Sequence, residues 1–76
     1  MAEKHRAIDM AKTSERLAKV FEQRGMTYSD IAKEFGVSVS TVSYWMNGKK
    51  LPSLSHIVEI AGLVGCTIDD LIVSKS

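Results

Sequence analysis

From Gly36 to Lys50 the residues able to do chemistry are hydroxyls, one tyrosine, an asparagine and two lysines, with no acid between Glu34 and Glu59. On a helix running through Val42 and Trp45, the positions Val39, Ser40, Ser43 and Tyr44 fall on the face away from those two apolar residues, with Thr41 toward its flank. Serine and threonine hydroxyls donate or accept, valine packs on a methyl group, and tyrosine does both. Those groups suit the base edges of a major groove about 12 Å wide, which a bulky or charged collar would block. A solvated surface helix would usually carry lysine and glutamate instead, yet no charged residue occurs from Gly36 through Gly48. The alternative reading of the same face is a low-charge helix buried against a protein partner.

Around this face lie residues suited to gripping phosphate. Thr27 and Tyr28 stand where a helix would begin and offer first-turn amides and a phenol. Asn47, Lys49 and Lys50 come directly after the second helix. Such contacts fix position without reading sequence. For the lysines the plain alternative is solvation, and for Asn47 a bond to its own helix end. Tyr44 has a surface aromatic as its alternative, whereas Trp45, in phase with Val42, is expected in the core.

These residues need two short helices joined by a tight turn. Ile31, Ala32 and Phe35 mark one helical face and Val42, Trp45 and Met46 another, with Gly36 between them. Gly36 is the expected left-handed stop, Ser38 the expected cap of the second helix, and Val37 the plug between the two. Thr27 caps the first, with Asp30 completing a capping box and Met26 and Ile31 forming a hydrophobic staple.

The rest of the chain supports this unit. The spacing of Leu17, Val20, Phe21 and Arg24 predicts a helix from about Ser14 to Arg24, closed by Gly25. Ahead of it, residues 1–12 are polar and read either as a frayed arm, with Lys4, His5 and Arg6 as a basic cluster, or as a backward extension of the helix. After Pro52, Ser53 caps a helix whose inward stripe is Leu54, Ile57, Ile60, Ala61 and Val64, stopped at Gly65. Thr67 opens a last short helix with Asp69 and Asp70 near its positive end and Ile68 and Leu71 facing the core. Leu63, Ile72 and Val73 are then apolar residues without an inward berth.

A chain of 76 residues makes one small domain. The single Cys66 rules out an intrachain disulfide and a cysteine-based metal cluster, and it is expected to pack as a small apolar residue. No apolar run is long enough for a signal peptide or a membrane span, so a cytosolic setting is expected. His5 and His56 have no acid or cysteine at ligand or triad spacing, and neither an enzyme nor a cofactor is expected. Net charge is only +1, but residues 1–52 carry nine Lys and Arg against six Asp and Glu, placing the basic excess with the candidate reader.

The stretch TYSDIAKEFGVSVSTVSYWMNGKKLPSL and the closing AGLVGCTIDDL together resemble the helix-turn-helix domain of lambda-type and Cro-type phage repressors, over about Ser14 to Ile72. The resemblance implies an all-α fold of five helices with the helix-turn-helix at helices 2 and 3. It further implies sequence-specific binding of double-stranded DNA, usually as a homodimer, and repression of transcription. The domain would then cover residues 13–74, with no separate effector domain. Two positions depart from the family pattern: Tyr28 stands where glutamine is common, and Met46 where an acid is common before Asn-Gly. With no Arg, Gln or Asn on the reading face, bidentate base contacts are excluded and DNA shape must supplement direct readout. A dimer would supply the missing information, and Leu63, Ile72 and Val73 are the expected contact. The rival reading is a protein-interaction module on the same fold, an adaptor or an antitoxin.

Overall fold

The computed structural model describes residues 7–75. Within these described residues five helices succeed one another: α1 (Met10–Gln23), α2 (Tyr28–Phe35), α3 (Val39–Met46), α4 (Leu54–Val64) and α5 (Ile68–Leu71). Every helix begins on a side chain that accepts from its own first turn: Asp9, Thr27, Ser38, Ser53 and Thr67. Each such cap is worth about 1 kcal/mol over alanine, which matters most for the helices of four to eleven residues, which could not stand alone.

α1 starts a full turn earlier than its apolar stripe suggests. Asp9 accepts from the Lys12 amide at 2.9 Å, so residues 10–12 extend the helix and Arg24 is its C-cap, not a member of the stripe. The extension is supported by buried polar groups that an apolar pattern does not register. Thr13 Oγ1 accepts from the Val73 amide at 3.0 Å, and the Ser14 hydroxyl donates to the Ala11 carbonyl at 2.9 Å. Ahead of the helix, Ile8 pairs with Ser74 in an isolated antiparallel bridge, with the Asp9 amide donating to Val73 O and the Lys75 amide to Ala7 O. Lys4, His5 and Arg6 lie outside the described residues.

Ten residues form the core: Leu17, Phe21, Ile31, Ala32, Val42, Trp45, Ile57, Ile60, Ala61 and Leu71. Val37 and Met26 pack half-buried against it, as plug and staple require. Phe35 meets Phe21 and Trp45 edge-on, at ring-centroid distances of 6.0 and 6.3 Å, and thereby couples α1, α2 and α3. His56 adds a fourth ring, 5.5 Å from Trp45, while its Nδ1 lies 3.0 Å from the Ser53 hydroxyl.

Val64 is half-buried outside the core, and two further residues expected in it point elsewhere. Leu54 is 73% exposed and Ile68 39%. Both are the first residue of their helix, where a side chain in phase with the stripe overhangs the end of the packed layer. No helix among the described residues is long and apolar enough to cross a membrane.

Candidate nucleic-acid interface

The joint between α2 and α3 sets the attitude of the candidate reader. Gly36 is left-handed at φ 67° and ψ 34°, a region that costs a residue with a Cβ about 1–2 kcal/mol. Its amide and that of Val37 both return to the Ala32 carbonyl. Ser38 is then extended and accepts from the Thr41 amide at 3.1 Å, which starts α3 at once. From below, Val42 and Trp45 are buried, so α3 is anchored on one side and free on the other.

The free side carries the expected residues, though not all equally. Val39 is 50% exposed and Tyr44 47%, and Ser40 is exposed as well. Ser43 is half-buried, with its Oγ accepting from Asn47 Nδ2 at 3.2 Å. Thr41 is half-buried too, and its Oγ1 lies 3.0 Å from Ser38 Oγ, so its hydroxyl belongs to the cap. The Ser-x-x-Thr spacing is the sequence signal for that engagement.

At the start of α2 the capping box is complete. Asp30 N–H donates to Thr27 Oγ1 at 3.1 Å and Thr27 N–H to Asp30 Oδ2 at 2.9 Å. The bond from the Thr27 amide, and after it that from the Thr27 hydroxyl, hold the Asp30 carboxyl below the usual carboxylate range. The Thr27 amide is therefore occupied, and the first-turn amides without an intrahelical acceptor are those of Tyr28 and Ser29. Tyr28 is 43% exposed beside them.

Beyond α3 the chain folds back on the helix it leaves. The amides of Lys49 and Lys50 both donate to the Tyr44 carbonyl, at 3.0 and 3.3 Å, while both side chains are exposed. Gly48, at φ 72°, approaches α1 so closely that a Cβ would lie 3.3 Å from the Met10 carbonyl oxygen and from Ser14 Oγ. Asn47, Lys49 and Lys50 are thus placed by α1 as well as by α3. That link depends on the first turn of α1, which the apolar pattern alone does not reveal.

The other expected contacts lie elsewhere on the molecule. Leu63 and Ile72 pack half-buried against the core, and Val73 is half-buried with its backbone held by Asp9 and Thr13. The large apolar side chains left most open on α4 and α5 are Leu54, Val58 and Ile68. Arg16, not singled out by the sequence pattern, ties α1 to α5 by donating from Nη1 to the Asp70 carbonyl at 2.6 Å. Burial pushes the Cys66 thiol up, in keeping with its packing against the core as a small apolar group.

Comparison with known proteins bears on the family and the fold. A helix-turn-helix family model matches residues 15–71. The "Cryptic phage CTXphi transcriptional repressor RstR" of Vibrio cholerae is 32% identical over 60 residues, which are 79% of this chain and 54% of that protein. An "Uncharacterized HTH-type transcriptional regulator" of Haemophilus influenzae is 38% identical over 47 residues, 62% of this chain and 20% of that protein. The chain thus spans about half or less of the length of these relatives. Among solved structures, the "Crystal structure of a putative DNA-binding protein from Bacteroides fragilis" superposes with a TM-score of 0.68 at 26% identity, over 90% of this chain and 98% of that one.

Proposed function

The chain belongs to the helix-turn-helix family of the lambda-repressor type, and on that footing we propose that it is a sequence-specific DNA-binding regulator of transcription, a repressor of the phage kind. One observation carries this reading. An uncharged outer face of small residues on α3 is held rigidly from below and flanked by open amides at the start of α2 and exposed lysines after α3. Val39, Ser40, Ser43 and Tyr44 meet base edges, and Thr41 contributes at most its methyl. Tyr28, Asn47, Lys49 and Lys50 meet phosphate, with Thr27 acting through its cap. The binding domain, expected at residues 13–74, takes in the first turn of α1 and the Ile8–Ser74 bridge as well. The setting is the cytoplasm, and the chain carries no catalytic activity of its own.

Two copies act together. A single short reading helix without bidentate readers spans too few base pairs, and two placed about 34 Å apart would double the information. The rim of Leu63, Ile72 and Val73, joined by the more exposed Ile68, is the pairing surface, isologous across a two-fold axis. Because these residues are largely engaged within their own chain, pairing in solution is weak and strengthens on DNA. Ile72→Asp should abolish cooperative binding to duplex under conditions where circular dichroism shows the variant folded; unchanged cooperativity there would exclude this surface from pairing.

A different observation supports a second reading. Leu54 and Val58 are both exposed and lie one turn apart on α4, as an adaptor or antitoxin would present them to a protein partner. Salt separates the two. Duplex affinity of a DNA reader should fall steeply and linearly on logarithmic axes as salt rises, with Lys50→Ala lowering the slope by about one phosphate contact. Affinity that is absent or indifferent to salt would favour the protein-binding module.

A further inference from the structure

The two outward serines of α3 differ in a way that bears on what each can read. Ser40 Oγ has no hydrogen-bond partner among the described residues, so its hydroxyl is free to rotate and to act as donor or acceptor. Ser43 Oγ instead accepts from Asn47 Nδ2 at 3.2 Å and donates to nothing among the described residues. An amide nitrogen offers only protons, so this contact consumes a lone pair of Ser43 and leaves its proton to point outward.

Asn47 is well placed to impose that choice. Its own amide donates to the Ser43 carbonyl at 3.0 Å, fixing it one turn beyond Ser43 as the C-cap of α3. The next residue, Gly48, is wedged against the Met10 carbonyl and Ser14 Oγ with little room for a Cβ, so the turn that holds Asn47 is itself held by α1.

We infer that Asn47 is a positioning residue for sequence recognition, which makes Ser43 a hydrogen-bond donor toward the major groove. This rests on the proposal that α3 reads DNA. A donor at that point prefers base edges that accept, guanine at O6 and N7 or thymine at O4, over the amino group of cytosine. This role adds to the phosphate contact proposed for Asn47, which would strengthen all sequences alike.

Asn47→Asp is the near-isosteric test, because a carboxylate offers only lone pairs. Ser43 would then turn its proton inward and present a lone pair to the groove, preferring cytosine N4 or adenine N6. Duplexes selected from a random pool would be compared for wild type, Asn47→Asp, Ser43→Ala and the double variant, each checked for helical content. The position that loses its preference in Ser43→Ala should be the one whose preference inverts in Asn47→Asp, by about fivefold or more, the scale of one neutral hydrogen bond. In the Ser43→Ala background, Asn47→Asp should weaken all sequences without changing any preference. Asn47→Ala, which frees the lone pair without adding charge, should loosen that position and not invert it. A motif unchanged in both Asn47 variants overturns the inference and leaves DNA reading by α3 intact. A wild-type chain that enriches no sequence overturns the DNA-reading proposal, and this inference with it.

Discussion

The chain contains the same turn twice. α2 ends at Ala32-Lys33-Glu34-Phe35-Gly36-Val37-Ser38 and α4 at Ala61-Gly62-Leu63-Val64-Gly65-Cys66-Thr67. In each a left-handed glycine, at φ 67° or 74°, returns its amide to the alanine carbonyl four residues back. A half-buried residue, Val37 or Cys66, donates to the same carbonyl at 3.0 Å, and a hydroxyl residue then caps the next helix. The helices that these caps open are unlike: Ser38 leads into eight uncharged residues, and Thr67 into four with Asp69 and Asp70 in the first turn. Those carboxylates would repel phosphate where α3 invites it. The turn is thus a general way of setting one helix against another, and a reader is made by the face it presents and by the groups around that face.

The largest expected effect concerns the anchor beneath that face. Trp45→Ala should cost about 3–5 kcal/mol, a large part of the roughly 5–15 kcal/mol by which a domain is stable. Circular dichroism melts would show it, and a midpoint near wild type would contradict the packing of Phe21, Phe35 and Trp45.

Next come the two glycines. Gly36→Ala and Gly65→Ala each force a Cβ into left-handed backbone with nothing within 4 Å to clash, so each should lose about 1–2 kcal/mol in urea denaturation, and by similar amounts. Only Gly36→Ala should also weaken duplex binding measured under conditions where both variants are folded. Equal losses of binding would show that the α4–α5 turn matters to the interface as much as the α2–α3 turn. Gly62, which is helical and surrounded by open space, gives the opposite sign: Gly62→Ala should gain about 0.5–1 kcal/mol.

Smallest is the effect of acid on the two capping boxes. Bonds from Thr27 and from Thr67 hold the Asp30 and Asp70 carboxyls below their ordinary range. The folded chain therefore binds these protons less readily than the unfolded one. The stabilisation is fully present above about pH 4, the usual carboxylate value, and is lost as pH falls through the lower folded values. Asp30→Asn and Asp70→Asn should each flatten the acid limb of stability measured by thermal melts. An unchanged limb would show the boxes to be without effect.

Caps, stops and the outer face of α3 are readable in the sequence because each depends on neighbours within four residues. Thr27, Gly36, Ser38, Gly48, Ser53, Gly65 and Thr67 all act locally, and their types announce their roles. Long-range polar bonds are not readable. Nothing near Thr13 in sequence tells of Val73, 60 residues on, and without that bond the start of α1 is indistinguishable from an arm. Leu54 and Ile68 mislead for a related reason: periodicity gives the direction of a side chain but not where the opposing layer ends. At the candidate interface, the same limit hides Gly48 against α1, whereas the occupied Thr27 amide follows from the capping box with Asp30, three residues on.

The central claim, that the outer face of α3 reads base edges, is tested most directly by selecting bound duplexes from a random pool with wild type, Ser40→Ala and Tyr44→Ala. Wild type should enrich an inverted repeat with half-sites one helical turn apart, and each variant should lose about 1 kcal/mol of discrimination at one position of the half-site. An enriched motif that is the same for all three proteins would contradict the claim.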